Sequence, residues 1–318
     1  MNRRAFLTIS AALSGPALAQ RVVRIGWVSV FPLHQVASYI AAFREGLAAL
    51  GFVEGRNLML DAVSAEGDVA RLPAVLEALL RRGPAVIVAQ GAAIFTAQRI
   101  EGVPVVFGFS GDPVLAGLTD SLARPSRNLT GMSFMAVDLN EKRLDLLREL
   151  LPASRRVVLT GDPVHPGAEL EVAASRAMAA RLGMQVRWVP TQSRAALRDL
   201  LAELTVEPPD ALVMLPDSVM LQGRADVAEF GRALRIPTMS GWRVFAESGG
   251  LVSYGPRLES SFRRLADYAV RLVQGARPGD LPIERPTHFE LVLNQRTAEA
   301  IGRALPLALL ARADEVIE

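Results

Sequence analysis

Few residues of this 318-residue chain are placed for covalent chemistry. Gly108-Phe109-Ser110-Gly111 approaches the nucleophile-elbow pattern, but its second glycine comes one residue early. The three histidines, His34, His165 and His288, are scattered and form no metal-ligand pair of the HExxH kind. The sequence has neither a glycine-rich loop ending in Gly-Lys nor the glycine spacing of a dinucleotide site. Asp112 and Asp162 could pair as acid and base, although each also reads as a helix cap. With no cysteine, thiol catalysis, disulfides and cysteine-held metals are excluded. The expectation is a non-enzyme with no cofactor and no metal, whose polar residues serve binding.

The stretch from Val103 to Ser133 shows where that binding would occur. Val103–Phe109 is an apolar run suited to a strand buried on both faces. It stops at Ser110-Gly111-Asp112-Pro113, and a helical pattern with Val114, Leu118 and Leu122 follows. Asp accepts from free N–H groups at a helix start, and Pro fits the first turn. In open α/β sheets ligands bind at this carboxyl edge of the strands. Arg156–Val164 repeats the scheme, an apolar strand leading to Gly161-Asp162-Pro163-Val164. Two similarly built lobes facing one another would explain the echo.

Other strand ends supply further candidates. Phe31 could form an aromatic wall and His34 a polar contact, or the two are a hydrophobic staple and a solvated histidine. Gln90, Gly91 and Ala92 would let backbone N–H groups approach a ligand, or simply form a tight turn. Ser110 and Asp112 are the strongest pair on this side. Across the cleft stand Asp162 and His165, then Asp217 and Ser218, with capping as the alternative for Asp217. Trp242 offers a flat aromatic surface or a packed core residue. Tyr254 reads as hinge or pocket.

The elements that must hold these residues alternate strand and helix. Apolar runs at 22–30, 57–63, 85–89 and 103–109 read as strands. Between them Val36, Tyr39, Ile40, Phe43, Leu47 and Leu50, then Leu72 to Leu80, recur at helical spacing, and 92–99 is a third helix. The second half continues with helices at 138–150, 168–182, 194–204, 224–234 and 257–273, and a last one near 296–304. Its strands are expected at 157–160, 185–189, 211–215, 236–239, 251–254 and 287–293. This order calls for an α/β fold of parallel sheets covered by helices.

The segment DPVLAGLTDSLARPSRNLTG resembles the signature of a family of bacterial ABC-transporter substrate-binding proteins, whose best-understood relatives bind aromatic amino acids. The likeness extends from RIGWVSV to FELVLNQRTAEAIGRALPLALLARADEVIE. Ser126-Arg127 stands where the family usually carries Gly-Gly. The resemblance implies two Rossmann-like lobes in the type I periplasmic-binding architecture, with the ligand cleft between them and three crossings. These are placed near Met132, Gly250 and Leu281. The N-terminal lobe would be 20–132 plus 250–280, and the C-terminal lobe 133–249 plus 281–318. It further implies a small-molecule ligand, an ABC permease in the inner membrane as partner, and a monomer. A sensor presenting ligand state to a membrane kinase would share the same fold.

The compartment is read from residues 1–19. Arg3-Arg4, an apolar core from Ala5 to Leu13 and Ala17-Leu18-Ala19 fit a secretory signal peptide, with Gln20 the new N-terminus. Arg3-Arg4-Ala5-Phe6-Leu7 resembles a twin-arginine signal, the alternative being a general secretory one. The expected location is the periplasm. Without the leader, 33 basic and 33 acidic residues remain, a balance that offers no attraction to nucleic acid or an anionic membrane.

Overall fold

The computed structural model describes residues 22–134 and 137–318, so the expected signal peptide lies outside the described residues. The chain begins with β1 (Val23–Ser29), α1 (Ala37–Ala49), β2 (Leu58–Ser64), α2 (Leu72–Leu80), β3 (Val86–Gln90), α3 (Ile94–Ala97), β4 (Val105–Phe109) and β5 (Leu129–Ser133). These strands form a five-stranded sheet in the order β2-β1-β3-β4-β5, every pair parallel. Parallel strands need helical crossovers on their faces, which is why β3 and β4 are apolar throughout apart from Gln90 and Gly108.

A second sheet follows. Its elements are α4 (Asp138–Leu150), β6 (Arg156–Gly161), α5 (Ala168–Arg181), β7 (Gln185–Pro190), α6 (Arg194–Val206), β8 (Ala211–Met214), α7 (Ser218–Leu234), β9 (Thr238–Ser240), α8 (Arg243–Glu247) and β10 (Val252–Pro256). Then come α9 (Leu258–Val273), β11 (Phe289–Asn294), α10 (Gln295–Ala300), α11 (Leu307–Leu310) and β12 (Glu315–Ile317). The seven strands run β12-β11-β10-β9-β8-β6-β7, with β10 and β11 the antiparallel pair.

The chain passes between the two sheets three times. It leaves the first after Phe134. It returns after Pro256, because β10 pairs with β9 and β11 through residues 252–256. It leaves again after Glu284, which is bonded to β5 through Ser133 N–H to Glu284 O at 3.0 Å and Glu284 N–H to Gly131 O at 3.0 Å. The return expected at Gly250 therefore comes later, since Val252–Pro256 first completes the second sheet. Helix α9 belongs to the first lobe. Leu258, Phe262, Leu265 and Tyr268 recur at four- and three-residue spacing, and they are buried in one cluster with Trp27 and Phe43.

The pattern at Val114, Leu118 and Leu122 does not become a helix. Asp112 Oδ1 accepts from Val114 N at 2.8 Å and Leu115 N at 3.0 Å, which starts a single turn. Gly117 then takes φ +66°, a left-handed conformation that ends it. Helix α7, conversely, begins at Ser218 rather than near 224.

Candidate functional site

The carboxyl ends of both sheets face one cleft. A cavity of about 30 Å³ lies there, lined from the first lobe by Phe31, Tyr39, Gln90, Gly91, Gly108 and Ser110. Phe134, Leu258 and Phe262 complete that wall, while Ser218, Leu221 and Trp242 close it from the second lobe. None of these residues carries a formal charge. Two larger grooves, each about 430 Å³, lie elsewhere, around Arg156, Pro208 and Pro209 at the amino edge of the second sheet. They are built from one lobe only. The interlobe cavity is the candidate site, because strand ends and helix starts converge on it.

Of the residues expected from sequence, Phe31, Gln90, Gly91, Ser110, Ser218 and Trp242 meet at the cavity. Phe31 lies beside Gly91, where an added Cβ would stand 3.6 Å from its ring. Trp242 is 8% exposed and joins the aromatic cluster of the opposite lobe. Gln90 is 6% exposed, and its Oε1 has no hydrogen-bond partner.

The other expected contacts do not line this cavity. His34 is exposed on the short helical turn Leu33–Val36 and does not line the cavity. Ala92 also stays outside it. Asp112 spends Oδ1 on two backbone N–H groups, as described above. Asp217 is 1% exposed and is the N-cap of α7. Its Oδ1 accepts from Met220 N at 2.9 Å and its Oδ2 from Asp162 N at 2.8 Å. Burial pushes its carboxyl up to about 7, against the pull of those N–H donors. Tyr254 packs into the second lobe's core, with its carbonyl accepting from Arg143 Nε at 2.8 Å.

Asp162 and His165 form the seam where the lobes touch. Asp162 Oδ1 accepts from Val164 N at 3.1 Å, shaping the loop that carries His165. The His165 ring lies 5.7 Å from that of Phe109, and its buried Nε2 has no hydrogen-bond partner. Burial lowers its pKa below the ordinary 6.5, partly offset by the nearby Ser110 backbone and by Asp162. One residue on, the Pro166 carbonyl accepts from Asp112 N at 3.0 Å. Thus the two similar turns of the sequence do meet, through backbone and rings rather than as paired carboxylates.

Sequence reasoning missed Tyr39, Gly108, Phe134, Leu221, Leu258 and Phe262. Tyr39 and Phe262 stack at 5.0 Å, and Phe134 meets Phe262 edge-on at 5.7 Å. Their helical or apolar spacing marks them only as core. Behind Trp242, buried Arg143 donates Nη1 to Asn140 Oδ1 at 2.6 Å, and Asn140 Nδ2 donates to Glu171 Oε1 at 3.1 Å. Burial pulls the Arg143 guanidinium down to about 10 and pushes the Glu171 carboxyl up. The guanidinium rests against Gly241 and so supports the turn that presents Trp242.

Two α/β lobes, three crossing segments and a cleft at the strand ends define the type I periplasmic-binding fold. No helix among the described residues is long and apolar enough to cross a membrane, and no cluster of three or more potential metal ligands occurs among them. The chain belongs to the ABC transporter substrate-binding protein family, whose model matches residues 32–317. A tyrosine-binding protein of Clostridioides difficile is 22% identical over 268 residues, which is 81% of this chain and 75% of that protein. An ABC domain from Streptococcus pneumonia solved with L-Trp superposes with a TM-score of 0.84 at 21% identity, over 93% of this chain and 100% of that one. A Clostridium difficile substrate-binding protein described as ligand-free and open gives 0.69 at 21% identity, over 93% of this chain and 99% of that one.

Proposed function

We propose that this protein is an exported receptor that closes around an aromatic amino acid and delivers it, as a monomer, to an ABC permease in the inner membrane. The observation that carries the reading is the ring of Phe31, Tyr39, Phe134, Trp242 and Phe262 around one interlobe cavity. Aromatic faces suit a planar apolar body. Ser110 and Ser218 provide the polar edge, and Ser218 opens the 17-residue helix α7, whose N-terminal dipole favours a carboxylate. The relatives that bind tyrosine and L-Trp support the same ligand class. At about 30 Å³ the cavity is far below the ~300 Å³ or more of ordinary ligand pockets. Capture therefore requires the lobes to part and re-close, hinging at crossings that include 256–258 and 285–288.

A thermal-shift panel followed by calorimetry tests this. L-Trp, L-Tyr or L-Phe should raise the melting temperature, with about 2.7 kcal/mol of stabilisation at a hundred times the dissociation constant. Stabilisation by sugars and none by amino acids would overturn the proposal.

A further inference from the structure

Three polar side chains line the cavity. Ser110 and Ser218 come from opposite lobes, Ser218 at the start of α7. Gln90 ends β3 in register with Gly108 of β4. An added Cβ at Gly108 would lie 2.8 Å from Phe134 Cζ and 3.2 Å from Phe262 Cε1, so aromatic rings crowd the strand position beside Gln90. On β3, Val86 and Val88 share the alternate positions of Gln90 and pack into the aromatic cluster of the first lobe. Gln90 is therefore a polar group in apolar surroundings, and its Oε1 is unpaired. Trp27 Nε1, on the neighbouring strand, is unpaired as well, so it does not serve as the missing donor.

A buried amide oxygen without a donor is costly, and a ligand that supplies one recovers that cost. We infer that Gln90 is a specificity-determining residue that accepts a hydrogen bond from a donor on the ligand's ring, the phenol O–H of tyrosine or the indole N–H of tryptophan, and so selects against phenylalanine. The inference rests on the aromatic amino-acid reading above and adds a discrimination to it. The ligand's carboxylate lies toward Ser218 and α7, and its ring toward Gln90. A site arranged to bond a substrate O–H or N–H rejects the analogue that lacks it, because the acceptor is then left unpaired.

Calorimetry with L-Tyr, L-Trp and L-Phe on wild type, Gln90→Leu and Gln90→Glu tests it. Wild type should favour L-Tyr or L-Trp over L-Phe by about tenfold or more, the fold-change an unpaired buried acceptor commands. Gln90→Leu should erase that gap by weakening L-Tyr and L-Trp and strengthening L-Phe, with circular dichroism of the ligand-free variant showing that it is folded. Gln90→Glu, which retains an acceptor, should keep the preference. Equal wild-type affinity for L-Phe and L-Tyr would overturn the inference while leaving the receptor reading intact. So would equal weakening of all three ligands in Gln90→Leu, which would place Gln90 at the ammonium. Failure of wild type to bind any of the three would instead overturn the ligand class itself.

Discussion

Replacing Asp217 by Asn should remove a specific pH dependence of stability. The folded carboxyl titrates at about 7 instead of its ordinary 3.8, because burial penalises the anion more than its backbone donors favour it. A carboxyl raised on folding holds its proton more tightly in the native state. Its contribution is therefore most favourable below pH 3.8 and is lost as pH rises toward 7. At 1.36 kcal/mol for each pH unit, that interval is worth on the order of 4 kcal/mol. Asn keeps one acceptor for the Met220 N–H but turns an NH₂ toward the Asp162 N–H, a constant penalty of about 1–3 kcal/mol. Constant terms cancel when the two proteins are compared by slope. Urea unfolding from pH 4 to pH 7.5 should show wild type losing ~4 kcal/mol relative to Asp217→Asn. Parallel curves would refute the argument and mean that the backbone donors fully compensate the buried charge.

Two further outcomes are expected. Gly255→Ala would place a carbon 1.8 Å from the Gly241 carbonyl oxygen, so β10 must shift from the turn carrying Trp242. Denaturant unfolding should show a loss of about 3 kcal/mol or more, and a loss under about 0.5 kcal/mol would contradict the packing. Small-angle scattering should show a smaller radius of gyration once a ligand found in the thermal-shift panel saturates the protein, as domain closure requires. Identical curves at proven saturation would count against a hinge.

The paired α/β lobes were legible because parallel strands must be apolar on both faces, which makes Val86–Gln90 and Val105–Phe109 plain in the sequence. Strand β5 was not, since Leu129–Ser133 mixes Gly131 with Thr130 and Ser133. Its polar side chains are buried through bonds to distant carbonyls, Thr130 Oγ1 to Leu281 O at 2.6 Å and Ser133 Oγ to Gly111 O at 3.0 Å. The cavity was half legible. Residues just past strand ends, such as Ser110, Ser218 and Trp242, declare themselves by position. Tyr39 and Phe262 look like any helical core residue, and only the docking of α9 on the first lobe brings them to the cleft. Asp217 was ambiguous because one chemistry, a carboxylate at a helix start, serves both cap and contact.

The docking of α9 also dictates when the first lobe can exist. Trp27 sits 5.2 Å from Phe262, a partner 235 residues later in synthesis. At roughly 5–20 residues per second, about 12–47 s separate their emergence from the ribosome. Until then the aromatic face of the five-stranded sheet is covered in part by Phe43 of α1 and lacks the helix that completes its core. The first lobe can therefore complete its core only late in translation, after most of the second lobe has been made.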